Sequence, residues 1–316
     1  MRRRDFIRGV AATGLALRFG PRAFPATSAT TGLSATSATT GLAAAPLPAS
    51  PTVLAAVEGE SPAAITREAI TLLGGMGQFV AKGDRVVIKP NIGWDRTPEM
   101  AACTNPDVVR TIVELVLEAG AKKAVVIDNT TNQARRCYVR SGIQDAVKQA
   151  GGDMLFVDDY RIKKMALKGD WLKEWEVLLD VVEADKIINV PIAKHHSLSR
   201  LTLGGKNWLG AVAGARNQFH QDLDKAIVDL AAFFRPRLTV LDAYRILVRN
   251  GPQGGRVSDT ELRKTVIAGT DPVAVDALAA SFFDIPARDL PYLGLARERG
   301  LGEFDLGKVR LEKRKI

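Results

Sequence analysis

The three histidines of this 316-residue chain, His195, His196 and His220, all fall within HHSLSRLTLGGKNWLGAVAGARNQFH, a stretch of 26 residues. Imidazole titrates near neutrality and binds metals readily, so the clustering points to proton transfer or metal chemistry. In an extended segment His195 and His196 would point to opposite sides, and only one could face a ligand. Gly204-Gly205 lets the backbone approach a ligand closely. Lys206 and Asn207 add a point charge and a two-way hydrogen bonder. On these grounds His196 and Lys206 are candidates for proton transfer, and His195 and His220 for metal binding. Asp271-Pro272 is explained as a helix cap with proline at the first helical position. Asp276, one turn further in, needs another explanation and joins the metal candidates.

These residues need a scaffold, and the sequence suggests one. Short β-branched apolar runs alternate with longer segments of helical period, the pattern of a parallel sheet covered by helices. Strands are expected at Thr52–Val57, Arg85–Ile88, Ala124–Ile127, Met154–Val157, Lys186–Val190, Leu238–Leu241 and Thr265–Ala268. Helices are expected at Pro62–Val80, Asp107–Ala119, Tyr138–Ala150, Leu223–Phe233, Pro272–Phe283 and Tyr292–Arg299. The fold class is therefore α/β, a mostly parallel open sheet with helices on both faces in a single large domain over residues 51–316.

Five of these strands run into polar side chains: Lys89 and Asn91, Asp128 and Asn129, Asp158 and Asp159, Lys194 with the histidine pair, and Asp242. In open parallel sheets ligands bind outside the carboxyl ends of the strands. Lys89, Asn91, Asp128, Asn129, Lys194 and Asn207 are thus candidate ligands for a small anionic molecule, with Asp242 a third candidate for catalysis. The glycine runs at 74–77 and 251–255 lack the lysine and hydroxyl of a phosphate loop and read as turns.

Residues 1–50 have a different character. Arg3-Arg4-Asp5-Phe6-Ile7-Arg8 fits a twin-arginine export signal and precedes a short apolar run. The octapeptide ATSATTGL then occurs twice, at 26–33 and 35–42, in a tract too poor in apolar bulk to fold. The expectation is a signal peptide and flexible tether, with the twin-arginine translocase as partner during export and the periplasm or exterior as destination. The apolar run is too short to be a stable membrane anchor. This segment also carries five of the nine net positive charges, leaving 38 bases against 34 acids in the remainder. No aromatic-interleaved basic stripe accompanies them, so nucleic acid is not an expected partner. Cys103 and Cys137 are the only cysteines. They could pair in an oxidising compartment, but two cysteines make an iron–sulfur cluster unexpected.

The order VVIKPN, TNPDVVR, EAGAKKAVVID, INVPIAKHH, TLGGKNWLG, LTVLDA, NGP and DPVAVDALAA resembles the family called domain of unknown function 362, from about Val53 to the C-terminus. Many members carry a ferredoxin-like cysteine module, which this chain lacks, so the iron–sulfur label given to them does not transfer. More locally, Gly204-Gly205-Lys206, with a histidine ten residues before and another fourteen after, is similar to the nickel-pincer lactate racemases. That likeness implies a cofactor on Lys206 and nickel at His220, with His196 as the third matching residue; the spacing around the lysine departs from theirs. The resulting expectation is an exported enzyme that uses a divalent metal or bound cofactor on a small anionic substrate. The alternatives are a periplasmic binding protein for an anion or metal complex, and an accessory to an exported redox or cofactor enzyme.

Overall fold

A computed structural model describes residues 52–316, and the signal and tether expected at 1–50 lie outside these described residues. The strands are β1 (Val53–Glu58), β2 (Arg85–Pro90), β3 (Lys123–Val126), β4 (Asp153–Met154), β5 (Ile162–Ala166), β6 (Glu174–Leu178), β7 (Lys186–Val190), β8 (Ile192–His196), β9 (Arg200–Thr202), β10 (Leu238–Leu247), β11 (Thr260–Gly269) and β12 (Arg310–Lys315). The helices are α1 (Pro62–Leu72), α2 (Pro106–Glu118), α3 (Ala134–Arg140), α4 (Ile143–Gln149), α5 (Leu179–Val182), α6 (Gly204–Asn207), α7 (Leu223–Phe234), α8 (Pro272–Ala280) and α9 (Pro291–Glu298).

The main sheet runs β12-β1-β11-β10-β7-β2-β3-β4. Only β11 in this series opposes its neighbours, pairing antiparallel with both β1 and β10. This is the mostly parallel α/β sheet expected from the alternating pattern. Both faces are apolar, as crossover helices require. Val86 and Ile88 pack on one side with Val109 and Ile112 of α2, while Val87 turns to the other side with Ala226 and Leu230 of α7. A separate hairpin, β5–β6, lies outside the main sheet.

Several expected elements differ in detail. The helix expected over Pro62–Val80 ends at Leu72, because Gly74 and Gly75 both take positive φ and a short 3-10 turn follows. The helix expected over Tyr138–Ala150 is two helices divided at Gly142, whose φ is 75°. The strand expected at Met154–Val157 is only Asp153–Met154. The hairpin β5–β6 and the edge strand β12 have no sequence counterpart, since their exposed, charged residues hide any apolar alternation, and β8 and β9 have none because each is too short, at five and three residues, to show a pattern.

After β7 the chain passes Pro191 and resumes as β8, which pairs parallel with the far half of β10 as β7 does with its start. A tight turn brings it back as β9. From there it enters α6, and so the histidine pair and the Gly-Gly-Lys-Asn segment sit where β7 gives out at the carboxyl edge.

Candidate functional site

Polar side chains at this edge divide into two groups, the first of which is closed on itself. Lys89 is buried and donates to Asp128 Oδ1 (2.6 Å), Pro90 O (2.9 Å) and Asn207 Oδ1 (3.1 Å). All three of its protons are used. Asn207 Nδ2 donates to Lys89 O (3.0 Å) and Asn189 Oδ1 (2.8 Å). Asn91 Nδ2 donates to Asn207 Oδ1 (3.2 Å), and Asn91 Oδ1 accepts from Lys194 Nζ (3.1 Å), which also donates to Ala102 O (2.5 Å). Asp128 Oδ2 accepts from the Ile92 amide. Asn129 uses its side chain on Val212 O and its amide on Gly210 O.

Expected as ligands for a small anion, Lys89 and Asn91 instead bond directly to Asn207, and Asn91 also to Lys194, while Asp128 holds Lys89 and the Ile92 amide; together they stitch the strand ends to the glycine-rich segment. The fit is tight enough that a Cβ on Gly210 would lie 1.9 Å from Asp128 Oδ1 and 2.6 Å from Lys89 Nζ. Asp242 is also committed, accepting from the amides of Asn105 and Tyr244, and burial raises its pKa to about 6. Its role there is to hold the start of α2 against β10.

The second group is less saturated. Lys206 is buried, yet its ammonium has one hydrogen-bond partner, the Ser199 hydroxyl at 2.6 Å. Desolvation, and then the charge of Lys194, lowers its pKa to about 7, with Asp224 pulling weakly the other way. Lys194 is lowered to about 8, chiefly by burial. His196 is half-buried, and its Nδ1 accepts from the amides of Leu198 (3.1 Å) and Ser199 (3.4 Å). Burial, followed by the charges of Lys206 and Lys194, pushes its pKa down to about 3. A neutral ring whose Nδ1 accepts must carry its proton on Nε2, so His196 offers an uncommitted, uncharged N–H donor.

One carboxylate, Asp276, positions this group from behind. Asp276 accepts from the amides of Gly204 (2.7 Å) and Gly205 (2.8 Å) and from the Tyr292 hydroxyl (2.9 Å), fixing the first turn of α6. A Cβ at Gly204 would meet Asp276 Oδ1 at 2.7 Å, which explains the first glycine by close approach. Asp271 caps α8 through the amides of Val273 and Ala274, as its sequence context suggested.

The histidines occupy three different settings. His195 points away from His196, as alternation requires, and its Nδ1 accepts from the Gly251 amide. His220 lies exposed, with Nδ1 3.1 Å from Asn217 O. Asp276, the third candidate metal ligand, has its oxygens filled by backbone amides and a phenol. Among the described residues no three His, Cys, Asp or Glu side chains are grouped to hold a metal ion. Cys103 and Cys137 are free, buried thiols rather than a disulfide; Cys103 donates to Trp94 O.

Sequence reasoning passed over Ser199, Asn189 and Tyr292. Asn189 left a trace, as an amide inside the apolar run IINV. Ser199 left none, because a serine in a polar turn is ordinary until the fold returns Lys206 to it.

Residues 86–281, more than half of the chain, match the family model described as Domain of unknown function (DUF362), and the chain belongs to that family. The match is shorter than the resemblance in the sequence, which runs from about Val53 to the C-terminus. Thylakoid-associated protein sll1697 of Synechocystis sp. is 28% identical over 252 residues, covering 77% of this chain and 77% of its own. The solved structure of the lactate racemase apoprotein from Thermoanaerobacterium thermosaccharolyticum aligns with 72% of this chain at 13% identity, with a TM-score of 0.46. The aligned part spans 56% of that structure's chain.

Proposed function

We propose that this member of the family is an enzyme that holds a small anionic substrate over Lys206 and His196 and moves a proton on it through Lys206. The observation that carries this reading is a buried lysine with a hydroxyl as its only hydrogen-bond partner among the described residues and a pKa of about 7. Such an amine is divided between its two protonation states near neutral pH, so it can take a proton and return it. Lys194 and Lys206 place positive charge where no carboxylate is hydrogen-bonded to either, which favours an anion. The Nε2–H of His196 would donate to an oxygen of that anion without adding charge.

A divalent metal was also expected here, and the donor set fits one poorly. Of the residues expected to hold it, His195 Nδ1 is taken by the Gly251 amide, His220 lies exposed beside Asn217 O, Asp276 is saturated, and no three His, Cys, Asp or Glu side chains are grouped among the described residues. No step is therefore assigned to a metal. A binding protein would use the same charges, but it has no need for a lysine that titrates near neutrality.

The discriminating experiment incubates the protein with small 2-oxo and 3-oxo carboxylates in D2O and follows exchange at the carbon beside the carbonyl. The enzyme reading expects exchange that is lost in Lys206→Arg, whose guanidinium stays charged. Binding without exchange would favour the non-catalytic protein, and neither binding nor exchange would remove the reading.

Export is a separate proposal, resting on Arg3, Arg4 and the following apolar run. Among the described residues no helix is long and apolar enough to cross a membrane. Replacing Arg3 and Arg4 together by lysine should retain the protein in the cytoplasm, as cell fractionation would reveal; continued export of the double variant would refute the signal.

A further inference from the structure

Ser199 is tied to both members of the less saturated group. Its hydroxyl accepts from Lys206 at 2.6 Å, and its own amide donates to Nδ1 of His196 at 3.4 Å. The turn that presents it is constrained: Arg200 follows with φ of 62°, a left-handed conformation uncommon for a residue with a side chain, and the Leu201 amide closes back on Ser199 O at 2.7 Å. The hydroxyl proton points to Leu201 O at 2.8 Å while Lys206 is an ammonium. Once Lys206 is a neutral amine, its lone pair faces the Ser199 oxygen, and the hydroxyl proton has a base within hydrogen-bond distance. A serine activated by a lysine amine is one of the recurring arrangements for nucleophilic catalysis.

We infer that Ser199 is a nucleophile, served by Lys206 as its base, that accepts the acyl group of small anionic acyl compounds. This rests on the reading of Lys206 as a proton carrier. Lys206 takes the Ser199 proton as Oγ bonds to the acyl carbon. The bond from that carbon to the leaving oxygen then breaks, and the Lys206 ammonium returns the proton to the leaving group. Water, deprotonated by the same amine, releases the acyl group as a carboxylic acid and restores Ser199. The Nε2–H of His196, held on the same turn, is the donor available to the oxyanion formed on the way. The free carboxylate of the substrate matches the positive charge of Lys194, which remains when Lys206 is neutral.

The test uses the full chain with p-nitrophenyl succinate, an anionic aryl ester. The expected result is a burst of one nitrophenolate per protein and a succinyl group on the peptide containing Ser199. The burst should be lost in Ser199→Ala and Lys206→Arg and retained, as a thioester, in Ser199→Cys. Its pH profile should rise with deprotonation of a group near 7. A succinyl amide on Lys206 in place of the ester, or a burst unchanged in Ser199→Ala, would overturn the assignment. If no burst occurs while the carboxylate exchange above persists, the nucleophile falls and the proton-transfer reading stands.

Discussion

Lys89 and Lys206 are both buried lysines at one edge of one sheet, and they are solvated by the protein in opposite ways. Lys89 spends its three protons on a carboxylate, a backbone carbonyl and an amide oxygen. Lys206 has a hydroxyl alone, and the strongest charge acting on it is another lysine. Burial lowers the pKa of each, but only Lys89 has Asp128 in contact to oppose it. A buried amine beside a carboxylate becomes part of the scaffold; one left with a neutral partner can exchange its proton at ordinary pH. The chemistry follows from the partner rather than from the residue type.

This contrast implies opposite consequences for similar substitutions. Lys89→Met strands the Asp128 carboxylate in the interior and should destabilise the protein by about 3–5 kcal/mol, measured by denaturant unfolding at pH 7. A loss under about 1 kcal/mol would mean that the strand-end network is slack. Gly210→Ala attacks the same network without touching a charge, by driving a methyl group onto Asp128 and Lys89. It should cost roughly 2–3 kcal/mol, and a neutral result would show that the segment can move away from the strand ends.

Lys206→Met should do the reverse and stabilise the protein by about 1–3 kcal/mol at pH 7, because it removes a poorly solvated amine. The sign follows from linkage. A folded-state pKa near 7 below the ordinary 10.5 means that the lysine's contribution to stability is present above pH 10.5 and lost as the pH falls through 7. The gain from Lys206→Met should accordingly vanish at pH 10.5 and above. Unfolding curves at the two pH values give the comparison, and a gain independent of pH would point to packing instead.

The parallel sheet was legible in the sequence because each buried strand is a run such as VVI or AVVI, apolar on both faces, between segments of helical period. The clustering of functional candidates around 194–207 was legible for a similarly local reason. Which polar groups face each other across the fold was not. Asp276 lies 72 residues from Gly204 and looks like a spare carboxylate until the fold sets it against two amides. Lys89 and Lys206 are indistinguishable as letters; the pairing of Lys89 with Asp128 is made by strand register between β2 and β3. Ser199 is brought to Lys206 by a three-residue turn between two short strands, neither of which has an apolar pattern long enough to read.

Site-resolved NMR of the lysine side chains tests the central claim most directly. With Lys206→Met used to assign the signal, the Lys206 resonance should titrate with a midpoint near 7, and binding of a small anion should move that midpoint upward. A Lys206 resonance that titrates near 10.5, unmoved by anions, would contradict the account.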